Sequence, residues 1–162
     1  MFKLPIKACL SNLCFPNRNY RYETLIFSYC ANKVSNYCLT YINTFSLNGS
    51  FKDIDNLRIN SLALISVCKA ELVNSNYFIN KEEITCSLDE LEKFRESFNS
   101  LLLSITDFNT QNFKGSLTNA RKGQDISKKL SQKSPISSMP LCFDKLLLIL
   151  ESDYLSKIYP ND

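Results

Sequence analysis

Histidine and tryptophan do not occur in this chain of 162 residues, and glycine occurs only three times. Without histidine, no imidazole can activate a serine or cysteine nucleophile, and the commonest general acid–base near neutral pH is missing. With Gly49, Gly115 and Gly123 alone, neither a phosphate-cradling loop nor a dinucleotide-binding fingerprint can be assembled. Long apolar runs are absent as well. The longest, Leu146 to Leu150, is far short of the roughly 20 residues that span a bilayer. No catalytic residue set is expected, and no membrane partner.

Cysteine is present but poorly arranged for chemistry. The seven cysteines stand at 9, 14, 30, 38, 68, 86 and 142. The opening Met1-Phe2-Lys3-Leu4-Pro5 has a charge and a proline where an export signal needs apolar residues. The expectation is therefore reduced thiols and a cytoplasmic setting. Cys9 and Cys14 have the spacing of one zinc half-site, but the other half would fall to Cys30 and Cys38, eight apart on one helix. No metal site and no cofactor are expected. Cys30 and Cys68 lie within apolar helix stripes, where cysteine acts as a small core hydrophobe.

What the chain does have is enough apolar content, 44%, to build a core. Its abundance of Asn, Ile, Lys, Phe and Tyr points to an A/T-rich genome, a statement about origin and not chemistry. Its net charge of +3 hides a segregation. Residues 1–33 sum to +4, residues 34–113 to −4, residues 114–133 to +5 and the remainder to −2. Two basic stretches flank an acidic middle.

Hydrophobic spacing predicts an all-α fold, a bundle of four main helices in one domain spanning residues 1–162. Residues 1–21 read as an irregular arm. Ile26, Cys30, Val34, Tyr37, Tyr41 and Phe45 recur at helical spacing and predict a helix over 22–46, stopped by Asn48-Gly49. A second helix is expected from near Ser50 to 74, with Leu57, Leu64, Ile65, Cys68 and Leu72 inward. Residues 77–86 read as an irregular connection in preference to a small hairpin. Ser87-Leu88-Asp89-Glu90 matches a capping box and predicts a third helix over 88–108, its stripe running from Leu91 through Phe94, Phe98, Leu101, Leu102 and Ile105 to Phe108. Three main helices thus fill 22–108. Residues 109–139 are polar and carry no continuous apolar stripe, so they read as a long basic insertion before the last helix, either a flexible linker or one holding a short helix at 124–132. That helix, over 140–159, is strongly apolar, with Phe143, Leu147, Leu150, Tyr154 and Ile158 along one face.

Two carboxylate groupings invite a functional reading. Asp53-Ile54-Asp55 resembles a metal-nucleotide D-x-D, but acids at a helix start also cap it and complement its dipole. Glu92 and Glu96 read as a solvated acidic face.

Two basic features carry the functional expectation. In 15–22, Arg18, Tyr20 and Arg21 interleave cations with aromatic rings, the combination that holds single-stranded nucleic acid. In 114–133, Lys114, Arg121, Lys122, Lys128, Lys129 and Lys133 face a single acid, Asp125, and could follow a phosphate backbone. Together they predict a small non-enzymatic accessory protein that binds nucleic acid, RNA in preference to DNA. By analogy alone, it would be of the kind with which viruses shield RNA from host defence. The competing expectation is a helical protein–protein adaptor or self-assembling homo-oligomer, with Tyr29, Tyr37 and Tyr41 of the first helix at the interface.

Overall fold

Five helices account for nearly all of the described residues, in a computed structural model that describes residues 22–48, 51, 53–74, 81–133 and 138–158. They are α1 (Tyr22–Asn48), α2 (Ile54–Asn74), α3 (Lys81–Asn109), α4 (Phe113–Lys133) and α5 (Met139–Ile158). No strand occurs among these residues, so the all-α expectation agrees with the structure. The arm at 1–21 lies outside the described residues.

Each helix packs on its neighbours in the chain. The first and last described helices are joined by α1 against α5, while α1 also packs on α3. Residue pairings give the directions. Ser97 meets Gly123 and Ser104 meets Ser116, so α3 and α4 are antiparallel. Gln124 meets Asp144 and Arg121 meets Glu151, so α4 and α5 are antiparallel too. Phe27 meets Phe94 and Phe45 meets Phe108, so α1 runs parallel to α3.

The core is that of a helical bundle. Ile26, Phe27, Cys30, Val34, Cys38 and Ile42 of α1 are buried, with Leu57, Ile65, Cys68 and Leu72 of α2. α3 contributes Leu91, Phe94, Phe98, Leu101, Leu102 and Ile105, and α5 contributes Met139, Cys142, Phe143, Leu146, Leu147 and Leu150. Fully burying one such side chain stabilises by about 1.5–3 kcal/mol. At one end Phe45, Phe51, Phe108 and Phe113 form a run of ring contacts 4.3–5.9 Å apart, which ties α1 to both ends of the α3–α4 turn.

Several sequence expectations need correction. The count among the described residues is five helices and not four, because the expected linker 109–139 holds the 21-residue α4. Its inward positions are Ser116, Ala120, Gly123, Ser127 and Leu130, all buried at helical spacing. An inward stripe made mostly of small residues is invisible to a search for large apolar ones. On α1 the buried line after Val34 runs through Cys38 and Ile42, and Tyr37 is 42% exposed. The steps of four simply continue past the point where the tyrosines suggested a turn of phase.

The helix starts differ as well. α3 begins at Lys81, so Ile84 to Cys86 are helical and Ser87 is a buried interior residue, not a cap. The good helix formers Lys81, Glu82 and Glu83 extend the helix by seven residues, about two turns. α2 begins at Ile54, not near Ser50. Its cap is Asp53, whose Oδ1 accepts the Asp55 amide at 3.2 Å while Oδ2 accepts Asn56 Nδ2 at 3.2 Å.

Between α3 and α4 the chain reverses in three residues. The Asn112 amide donates to the Asp107 carbonyl at 2.8 Å and the Gln111 amide to Phe108 at 3.0 Å. Gln111, at φ 64°, occupies the left-handed position usually given to glycine in this helix-ending motif. Asn112 then opens α4, its Oδ1 accepting the Gly115 amide at 3.2 Å.

Candidate nucleic-acid interface

α4 owes its outward face to its inward one. Every buried polar side chain among the described residues is a serine, and several of these serines line the α3–α4 seam. Ser104 Oγ donates to the Ser116 carbonyl at 2.8 Å and Ser116 Oγ donates back to the Ser104 carbonyl at 2.7 Å. Ser97 Oγ donates to the Gly123 carbonyl at 2.9 Å. At Gly123 a Cβ would stand 2.3 Å from Cζ of Phe143 and 3.0 Å from Cβ of Ser100, so both α3 and α5 press on this backbone. A helix held this closely on two sides turns its remaining face to solvent.

That face carries the predicted cations. Lys114, Arg121 and Lys128 stand seven residues apart, on one ridge of the helix, and Lys122 and Lys129 form a second row beside it. All five are exposed. Lys133 is the last residue of α4, and Arg18, Tyr20 and Arg21 lie outside the described residues. The structure thus gathers five of the nine predicted residues on one helix face.

Three of the five have partners, two of them on neighbouring helices. Arg121 pairs with Glu151 of α5 at 3.6 Å, Lys122 with Glu96 of α3 at 3.3 Å, and Lys129 with Asp125 at 2.8 Å. Such exposed pairs contribute about 0–1 kcal/mol each and open readily for a competing anion. Lys114 and Lys128 have no ion-pair partner among the described residues. Glu96 was legible as part of an acidic face, but its meeting with α4 needed the hairpin geometry.

The other candidates resolve into structural roles. Asp53 caps α2, and Asp55 accepts Arg58 at 2.6 Å. Glu92 pairs with Arg95 at 3.1 Å and Lys69 at 3.8 Å. Among the described residues no three His, Cys, Asp or Glu side chains stand together to hold a metal ion. Four of the five described cysteines are buried, and Cys86 is exposed. A hydrogen bond to Cys68 and burial push the Cys30 thiol far up, and burial likewise raises Cys38. Burial raises Cys142 to about 12, against smaller lowering by its backbone hydrogen bond and Lys145. These thiols stay protonated and are not nucleophiles. Tyr41 is also raised to about 12, by burial and then by the nearby Asp53.

No described helix is long and apolar enough to cross a membrane. Comparison with protein-family models, curated proteins and solved structures finds no match for this chain.

Proposed function

We propose that this chain is a non-enzymatic nucleic-acid-binding protein, with RNA as the favoured ligand and α4 as the described contact surface. One observation carries the reading: the five cations of 114–129 stand on a single exposed face of a well-anchored helix. Phosphate contacts need cations on a surface that can be approached, and counterion release rewards their concentration. The buried, protonated thiols and the capping or paired carboxylates support a binding role over a catalytic one. The test is a titration of the purified chain into labelled single- and double-stranded RNA, comparing wild type with Lys114→Glu/Lys128→Glu on whichever RNA the wild type binds more tightly. The reading expects at least a tenfold loss of affinity with unchanged helical content by circular dichroism. Equal binding by both proteins would sink it.

A second reading, the self-assembling subunit, is favoured by α2. Its inward face is buried, yet its outer face carries Ile59, 63% exposed, and Val73, 59% exposed, with Ala63, Ser66 and Ala70 between them at steps of four and three. A helix apolar on both faces is ordinarily covered on both. Of the tyrosines first expected at an interface, Tyr37 is exposed, whereas Tyr41 stacks on Phe51 at 5.8 Å. Sedimentation across a hundredfold concentration range tests this reading. It expects a dimer that Ala63→Glu/Ala70→Glu converts to monomer, and a wild type that stays monomeric throughout refutes it.

A further inference from the structure

We infer that the ligand of the α4 face is the phosphate backbone of a duplex, not a single strand, an inference that rests on the nucleic-acid reading above. Three observations carry it. The first is rigidity. Lys114 and Lys128, the two cations with no ion-pair partner among the described residues, are separated by fourteen residues of continuous helix, roughly 21 Å at 1.5 Å per residue. α4 is clamped by α3 on one side and α5 on the other, and the Ser97–Gly123 and Ser104–Ser116 hydrogen bonds hold that distance fixed. A duplex is straight over such a length and presents its phosphates already in place. A single strand must be stretched and ordered to bridge the same two points, at a cost in conformational entropy.

The second observation is what the face lacks. A single strand offsets that cost by stacking its bases on aromatic rings or guanidinium planes. The only aromatic residue of α4 is Phe113, and its ring packs edge-on against Phe108 at 5.7 Å. The one guanidinium, Arg121, is drawn sideways to Glu151. The exposed residues between the cations are Thr118 and Asp125, which offer no stacking surface.

The third is the flanks. Glu96 on α3 and Glu151 on α5 border the ridge on its two sides. Phosphates are welcome along the crest, where five cations outnumber the single acid Asp125, itself paired with Lys129, and are repelled beside it. A backbone crossing as a narrow, regular line fits this pattern, and a strand that wanders across the surface does not. The contact reads no base edges, so it is independent of sequence.

The experiment uses the full chain with fluorescein-labelled 21-nucleotide single-stranded RNA, 21-base-pair RNA and 21-base-pair DNA, by anisotropy at 50 and 200 mM salt. Wild type and Lys114→Glu/Lys128→Glu are compared on each. The expected result is binding to one or both duplexes that is insensitive to sequence and falls about 10- to 500-fold between the two salts, as for two to five phosphate contacts. The variant should lose at least tenfold on the duplex, while any affinity for the single strand stays unchanged. The two duplex arms tell whether RNA or DNA supplies the backbone. The inference is overturned, with the nucleic-acid reading intact, if the variant loses single-strand binding as much as duplex binding. If no probe binds at 50 mM salt, both fall together.

Discussion

α4 and α5 are 21 and 20 residues long and lie side by side, yet they are held by opposite means. α5 docks by area: six large or medium apolar side chains go inward, from Met139 to Leu150. α4 docks by closeness: Ser116, Ala120, Gly123 and Ser127 let its backbone approach α3 and α5 until hydroxyls reach across to carbonyls. Area gives a strong apolar term and tolerates modest changes in shape. Closeness gains dispersion contacts and hydrogen bonds but leaves no room for error. The difference teaches that a helix need not look apolar to be part of a bundle's frame.

The sharpest way to break this contrast is at Gly123. Gly123→Val should destabilise the chain by about 3 kcal/mol, since a Cβ already overlaps the Phe143 ring, and should lower the melting temperature by about 6–12 °C. Phe143→Leu should lower stability alone yet recover part of the Gly123→Val loss, so a double-mutant cycle should show favourable coupling. Simple additivity of the two changes would mean that the α4–α5 contact is looser than the close approach at Gly123 requires.

Alkaline titration separates the two helices by chemistry. The α3–α4 seam is held by neutral hydroxyls, whereas the α1–α5 contact includes Cys142, whose thiol donates to the Ser35 carbonyl at 3.4 Å. Burial raises that thiol from its ordinary 9.0 to about 12, and Tyr41 moves from 10.0 to about 12. A group raised in the folded state contributes stability that is fully present below its unfolded value. That stability is lost as pH climbs through the folded value. With no histidine to titrate, stability should be flat between about pH 6.5 and 8.5 and decline from about pH 9 toward 12. Cys30 and Cys38, also raised, lose stability from the same pH, so Cys142→Ala should make the decline shallower without abolishing it, as followed by urea unfolding at several pH values. A steep change near pH 7 would contradict the assignment.

The smallest effect lies in the turn between α3 and α4. Gln111 holds a positive φ that glycine adopts without steric cost, so Gln111→Gly should stabilise by about 0.5–1 kcal/mol. The rise in melting temperature, about 1–4 °C, is measurable by calorimetry. A fall instead would show that the Gln111 side chain matters more than its backbone.

How much of this was legible depended on side-chain size. The stripes of α3 and α5 could be read directly because Phe94, Phe98, Leu101, Phe143 and Leu147 are large and evenly spaced. α2 was read almost completely too, except that the inward position between Leu57 and Ile65 is Ser61, which no apolar pattern marks. α4 failed for the same reason on a larger scale. Serine, alanine and glycine report a flexible linker when counted as composition, and a tight helical contact only when the facing serines of α3 are set against them. The candidate site suffered less. Its cations were all named from the sequence, but their grouping into a ridge depended on α4 being a helix, and their pairing with Glu96 and Glu151 depended on two tertiary contacts.

The three-residue reversal at Thr110–Asn112 bears on the order of assembly. It brings together Ser104 and Ser116, only 12 residues apart in sequence, whereas the Ser35–Cys142 contact joins α1 to α5 across 107 residues. The entropy of closing a loop grows with its length, so local pairings are reached first and long closures are rewarded late. Loop entropy therefore favours the α3–α4 hairpin before the docking of α5 onto α1, which completes the ring. The helix whose sequence looks least like folded protein thus belongs to one of the local pairings that loop entropy favours over the closure of α5 on α1.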